Sequence, residues 1–335
     1  YNGAFDAGLA NYEMDYDNAL HHSAVFRSYE RRLAARLVRR RGEQHGHGRI
    51  VEIGCGSGHF LGLICRMSGA EGLGFDPSHD PAHADPLVLG RGTITRGYFH
   101  ADLGPPPVDL IVLRHVLEHI ADPLPFVEQI ADAMRTGTTL YIEVPNANLI
   151  LDRLSIADLI YEHCTYFTKE SLTALVQAAG LEVVDRWDAY GDQFVGVEAR
   201  LPTPGARVER PDLGGLRAAV ETFPTRFDQR LAGWRDLLSA MSGHRAVAWG
   251  AGAKAVGFFN LLGISDEVQA VVDMNPAKQG NFLPGTGQPI VAPDALRALE
   301  PEHVLVMNPI YADEIKATLS GLGLDANVSP VSVSY

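Results

Sequence analysis

Apolar residues in this chain fall into two recurring patterns, short unbroken runs and longer stretches at helical spacing. Residues 25–41 read as a helix with Phe26, Leu33, Ala34 and Leu37 near one face and Arg36, Arg39, Arg40 and Arg41 at its end, where cations suit the macrodipole. From Gly48 onward strand and helix alternate. The pattern predicts strands at 50–53, 72–75, 93–98, 109–113 and 139–144, with helices at 59–67, 125–134 and 169–179. The 109–113 run has no polar break after Asp109, as expected of a strand covered on both faces. Residues 181–187 and 193–199 then read as an antiparallel pair around Tyr190-Gly191-Asp192.

Leu201-Pro202-Thr203-Pro204-Gly205 breaks the composition and marks a domain boundary. A helix is expected over 213–241, interrupted at Pro224. The alternation then restarts, with strands at 246–249, 268–272 and 304–307 and helices at 253–262 and 311–322. The expected organisation is an N-terminal flap and helix (1–47), a first α/β domain (48–200), a helical linker (201–242) and a second α/β domain (243–335). Strands alternating with helices imply mostly parallel sheets with helices on both faces.

The 335 residues carry 28 Lys+Arg against 41 Asp+Glu, a formal net charge of −13. That excess of acid argues against nucleic acid or an anionic membrane as the main partner, because phosphates need a basic footprint. No run reaches the roughly 18 apolar residues of a membrane span. Cys55, Cys65 and Cys164 are an odd set without C-x-x-C spacing, so neither a disulfide framework nor a metal site is expected, and a reducing cytoplasm fits best.

Two glycine clusters carry the candidate chemistry. The first, Glu52-Ile53-Gly54-Cys55-Gly56-Ser57-Gly58, sits at a strand-to-helix turn, where three missing Cβ atoms let backbone approach a ligand. Asp76 ends the next strand, 22 residues after Gly54, where an acid can accept from both ribose hydroxyls of an adenosine. A dinucleotide fingerprint would want glycine at His59, and Glu52 would repel a pyrophosphate. Glu52 suits a ligand with an ammonium and a sulfonium instead. The second cluster, Gly250-Ala251-Gly252-Ala253-Lys254-Ala255, also opens a helix and is followed by Asp273, so read alone it is the better dinucleotide fingerprint. Its free N–H groups would equally cradle the diphosphate of a nucleotide-sugar.

The E-x-G-x-G-x-G spacing resembles the first motif of class I S-adenosylmethionine-dependent methyltransferases, and Leu113 to Asp122, with its H-V-L-E-H core, resembles their fourth-strand segment. A narrower resemblance, to the C-methyltransferases of nucleotide-linked 4-keto-deoxysugars, is carried by Tyr16-Asp17-Asn18-Ala19-Leu20-His21, by Tyr161-Glu162-His163-Cys164-Thr165-Tyr166-Phe167, by W-G-A-G-A-K at 249–254 and by residues 273–286. It spans nearly the whole sequence. It implies a class I methyltransferase Rossmann-like domain followed by a second Rossmann-like α/β domain, S-adenosylmethionine as cofactor, a small nucleotide-sugar substrate, a cytoplasmic monomer or homodimer, and a place in deoxysugar and antibiotic biosynthesis. The family's four-cysteine zinc module does not occur in this sequence. The Tyr161-Glu162-His163 segment is one residue short of the family pattern, so Tyr161 stands where the family often has His and Ile160 where it has Tyr.

The resemblance assigns Glu52, Gly54, Gly56, Gly58, Asp76, Pro77, Asp102, His115 and Tyr16 to the cofactor. It assigns Gly252, Lys254, Asn275, Lys278, Pro284 and Thr286 to the substrate nucleotide. Carbon methylation needs a proton alpha to a carbonyl to leave, and histidine, with an ordinary pKa near ~6.5, is the natural base. His163 takes that role, Glu162 orients it or holds a sugar hydroxyl, Tyr161 or Tyr166 donates to the enolate oxygen, and His119 is a second polar group facing the substrate. Two other activities stay open on the residues alone: an O- or N-methyltransferase of another small metabolite, and a NAD-dependent oxidoreductase built on the second cluster.

Overall fold

A computed structural model describes residues 1–6, 8, 23–41, 48–88, 90–103, 107–203, 211–241, 243 and 245–331. The chain forms two compact units: residues 1–17, 26–147 and 162–213 make the first, residues 18–25, 148–161 and 214–335 the second. The chain therefore crosses between units more often than a single cut near residue 200 would allow, because 148–161 leaves the first sheet and returns.

The first unit opens with helix α1 (Ala24–Arg41). Its predicted apolar face is buried at Phe26, Leu33, Ala34 and Leu37. The basic end is anchored rather than merely solvated: Arg36 and Arg40 pair with Asp185 and Glu198, and the Arg36 guanidinium lies 3.7 Å over the Trp187 ring. Five parallel strands follow, β1 (Arg49–Ile53), β2 (Glu71–Phe75), β3 (Gly92–Thr95), β4 (Val108–Arg114) and β5 (Thr139–Pro145), interleaved with α2 (His59–Ser68) and α3 (Pro123–Ala133). The short α4 (Asn148–Leu151) belongs to the second unit. Helix α5 (Lys169–Ala178) starts at a Thr168–Ser171 capping box and leads to β6 (Glu182–Ala189) and β7 (Phe194–Arg200).

The sheet order is β3-β2-β1-β4-β5-β7-β6, with β7 antiparallel to both neighbours. β4 lies centrally and is buried at all seven residues, as its apolar run requires. Strand order reverses beside β1, between β1 and β4, and the carboxyl ends of these strands form the crevice where an open α/β sheet takes ligands. The apolar core under this sheet includes Val51, Ile111, Leu113, Leu140, Ile142, Val195 and Val197.

The second unit contains α6 (Gly214–Met241), β8 (Ala246–Trp249), α7 (Ala253–Leu262), β9 (Ala270–Val272), β10 (Ile290–Val291), α8 (Leu296–Leu299), β11 (His303–Val306), α9 (Ala312–Leu322) and β12 (Asn327–Pro330). Its sheet runs β10-β9-β8-β11-β12 and is parallel throughout. The expected break at Pro224 does not occur. Pro224 is exposed, so the carbonyl it leaves without a donor meets water, and the Thr222 hydroxyl donates to the Ala218 and Ala219 carbonyls nearby. The same helix buries Leu231, Trp234, Leu238 and Met241, so it is part of this unit's core and not a bare linker. No described helix is long and apolar enough to cross a membrane.

Candidate active site

The first glycine cluster connects the end of β1 to the start of α2. Gly54, Gly56 and Gly58 have φ of 71°, 53° and 87°, the left-handed region that side chains rarely adopt. A Cβ on Gly54 would sit 2.1 Å from Val116 Cγ2, so the loop packs against the segment after β4. Around Gly56, by contrast, a Cβ would meet nothing within 4 Å, which leaves its backbone open to a ligand.

Asp76 closes this loop. Its Oδ2 accepts from the Gly56 amide at 2.8 Å, and its Oδ1 accepts from the Ser78 amide at 2.8 Å and the Ser78 hydroxyl at 2.6 Å. His79, which sequence reasoning passed over, lies with Nδ1 2.9 Å from the Gly56 carbonyl. Pro77 is exposed beside them.

Asp102 does not join this group. Strand β3 ends at Thr95, three residues before the expected Tyr98, and the chain then turns back. Asp102 lines a cleft of about 220 Å³ with Pro107, Val108 and Arg135, beside the first residue of β4, and the next carbonyl, Leu103, accepts from Arg49 at the start of β1. It stands at the amino ends of the strands, opposite the glycine loop. Tyr16 lies outside the described residues.

Beneath the loop the unit buries a charged cluster. Arg114 donates Nε to Glu143 at 2.9 Å and NH1 to Glu30 at 3.3 Å, and the hydroxyls of Tyr29 and Tyr141 donate to the other Glu143 oxygen. Burial opposes charge on Glu143, but Arg114 and His115 hold its carboxyl well below the usual range. Glu52 fares differently. Burial pushes its carboxyl up to about 8 against the pull of Arg114, and its Oε2 is buried without a hydrogen-bond partner.

His115 follows β4 with φ of 54°, a strained value for a non-glycine. Its imidazole turns toward carboxylates, with Nε2 3.2 Å from Glu143 and Nδ1 3.7 Å from Glu118, and packs against Phe194 at 4.4 Å between ring centres. Burial works against its charge, yet the two carboxylates raise its pKa to about 9. His115 thus faces two carboxylates.

The next turn, Leu117–His119, carries the groups expected to do chemistry. His119 Nδ1 is 3.1 Å from the Glu162 carbonyl, and its ring meets the His163 ring edge-to-face at 4.9 Å. His163 is 5% exposed, and Tyr166 lies 6.0 Å from it between ring centres. One backbone and one side-chain bond lock the two segments together: the Thr165 amide donates to the Glu118 carbonyl at 3.1 Å and the Cys164 thiol to the His119 carbonyl at 3.3 Å. Glu162 thus enters through its carbonyl, with a half-buried side chain, whereas the Tyr161 side chain is exposed and belongs to the other unit. Glu118, one residue before His119, escaped the sequence reading. It is 2% exposed, and its one signal was its place between two histidines in the H-V-L-E-H segment.

In the second unit the second cluster makes a similar turn, with the aspartate holding an amide one residue earlier in the loop. Gly250 donates to the Val272 carbonyl as Gly54 does to Phe75, each at 2.7 Å. Asp273 accepts from the Ala251 amide at 2.7 Å and the Asn275 amide at 2.8 Å, as Asp76 does from Gly56 and Ser78. Gly252 caps α7, and Lys278 Nζ reaches the Ala251 carbonyl at 3.4 Å. Asn275 is buried and caps its own turn at the Ala277 amide. Lys254 is ion-paired with Asp158 at 2.8 Å. Pro284 and Thr286 stand elsewhere. Their turn is pinned by Asn260, which bonds the Pro284 carbonyl from about 10 Å further along α7, and by Gln288, which bonds the Ile264 and Ser265 carbonyls. They are not partners of the Gly252 loop.

Two family descriptions match this chain: "Methyltransferase domain" over residues 26–186 and "C-methyltransferase C-terminal domain" over residues 217–324. The chain is an S-adenosylmethionine-dependent methyltransferase. Among curated proteins, this methyltransferase is 26% identical over 290 residues to the C-methyltransferase NovU of Streptomyces niveus, covering 79% of this chain and 67% of NovU. It is 27% identical over 153 residues to a ubiquinone biosynthesis O-methyltransferase of Aeromonas salmonicida, covering 41% of this chain and 64% of that one. Among solved structures it resembles the mitomycin 7-O-methyltransferase MmcR at 21% identity, over 52% of this chain and 53% of that one, with a TM-score of 0.41.

The residues of the first loop fit the methyltransferase's cofactor. The open backbone at Gly56 would admit an adenosine, Asp76 stands where ribose hydroxyls would bond, and Glu52, once it gives up its proton, would supply the negative charge that a sulfonium and an ammonium call for. Bound there, S-adenosylmethionine supplies an already activated methyl group.

Proposed function

We propose that this enzyme methylates a carbon alpha to the ketone of a nucleotide-linked deoxysugar through an enolate. Carbon is not nucleophilic until a proton leaves, so the site must contain a base shielded from water. The observation that carries the reading is the pairing of buried His163 with half-buried His119, held by hydrogen bonds at the carboxyl end of β4. His163 takes the alpha proton. Tyr166 donates to the enolate oxygen, while Glu162 fixes the tautomer of His119 through its carbonyl. Exposure of Tyr161 favours Tyr166 for the donor role. In the second unit, the Gly250–Gly252 loop, with Lys278 beside it, is suited by itself to an anionic group such as a phosphate.

The test combines mass spectrometry of methyl transfer over a panel of keto-sugar nucleotides with solvent deuterium exchange at the alpha carbon. The reading expects one deuterium incorporated without methyl donor, lost in His163→Gln. Methyl transfer to oxygen or nitrogen with no exchange at carbon would refute it.

A further inference from the structure

Glu118, His119 and His163 each offer one donor atom, and these three atoms lie within 4.8 Å of one another inside the first unit. We propose that Glu118, His119 and His163 form a binding site for one divalent transition cation of the zinc or cobalt type.

Four features support the site. The donor set is two imidazole nitrogens and one carboxylate oxygen, which suits first-row transition cations, whereas magnesium and calcium favour oxygen throughout. Glu118 Oε1 faces His115 Nδ1 at 3.7 Å, but its Oε2 is buried with no hydrogen-bond partner, so one oxygen of a buried carboxylate is left for a further ligand. A carbonyl can only accept, so His119 Nδ1 must carry the proton it gives to Glu162, and its Nε2 carries the lone pair. An imidazole fixed in this way through its far nitrogen is the usual outer support of a metal ligand. Finally, the Thr165–Glu118 and Cys164–His119 bonds tie the two ligand-bearing segments together, so the donors are pre-arranged. Bonds of about 2.0–2.2 Å would require the donors to close by roughly an ångström, within reach of side-chain rotation.

Spacing could not reveal this site, because His163 comes from a separate segment. The proposal goes beyond the enolate chemistry and is independent of it. A cation and a proton compete for one lone pair on His163, so the loaded form cannot act as base, and the proposed proton transfer belongs to the cation-free form.

The test is a titration of the chelator-stripped full chain with Co2+ alone, followed by visible absorption and calorimetry. The wild type should bind one equivalent with ligand-field bands and no thiolate charge-transfer band. Affinity should fall by roughly 100-fold or more in Glu118→Gln and in His163→Gln, at or beyond the upper end of what losing a mere supporting residue costs. Binding of S-adenosylhomocysteine and thermal melting confirm that each variant is folded, and His119→Gln replaces either one that is not. The chain has 13 histidines, so Co2+ binding unchanged in these variants would place the metal elsewhere and overturn the proposal. A thiolate band, or no binding to the wild type, would overturn it as well. Since no acceptor is present, the outcome is separable from the fate of the enolate reading.

Discussion

Glu52→Gln should make the protein more stable at alkaline pH, although it removes a charged group from the core. Burial holds the Glu52 carboxyl up to about 8, against an ordinary value of 4.5. Above pH 4.5 the unfolded chain has lost this proton while the folded chain keeps it. The folded state then binds more protons, so stability falls as pH rises, by about 1.4 kcal/mol per pH unit for one proton. Between 4.5 and about 8 that amounts to at most roughly 5 kcal/mol, lessened by the attraction of Arg114 and by any water the site admits. Above pH 8 both states are ionised and the loss is complete. Urea unfolding of the first unit, measured from pH 5 to 9, should find wild type and Glu52→Gln nearly equal at pH 5 and the variant ahead by several kcal/mol at pH 9. Donor binding near pH 7 should release close to one proton from the wild type and none from the variant, read by calorimetry in buffers of different ionisation heat. A stability difference that stays flat across this range would mean that Glu52 is ionised throughout, and the reasoning would fail.

Asp76→Ala should weaken S-adenosylhomocysteine binding by about 1–3 kcal/mol, since the Gly56 amide loses its acceptor and a ribose partner disappears; an unchanged dissociation constant by calorimetry would contradict the ribose role. Gly54→Val should prevent folding of the first unit, because even its Cβ would lie 2.1 Å from Val116 at φ 71°, and circular dichroism of the expressed chain checks this. Trp234→Ala should destabilise the second unit by roughly 3–5 kcal/mol through loss of a buried ring against Phe258, measurable by thermal unfolding. All three cysteines are buried, and burial raises the Cys55 and Cys164 thiols, so a thiol reagent should label none of them before unfolding.

The class of fold was legible because it rests on periodicity. Continuous apolar runs gave β1, β4, β5 and β8, and the helices found their glycine and threonine boundaries. Strands β10 and β12 were not legible: one has two residues, and the other, Asn327–Pro330, is a half-polar edge strand stabilised by pairing with β11 and not by its own composition. Pro224 misled because sequence cannot tell an exposed turn of helix from a buried one. Asp102 misled because a strand that ends three residues early sends the following chain to the opposite rim. The first loop was readable from spacing alone, but Glu118, the His115 ion pairs and the Lys254–Asp158 pair depend on contacts between distant segments.

The twin loops have one further consequence. Both close on an aspartate that accepts from a loop amide and from the amide two residues after itself. They also differ two residues upstream of the first glycine, where one has Glu52 and the other Ala248, both buried. One cradle therefore rests on latent negative charge and the other on hydrocarbon, with the Lys278 ammonium nearby. The two turns thus differ in the charge buried behind them as well as in the amide that each aspartate holds.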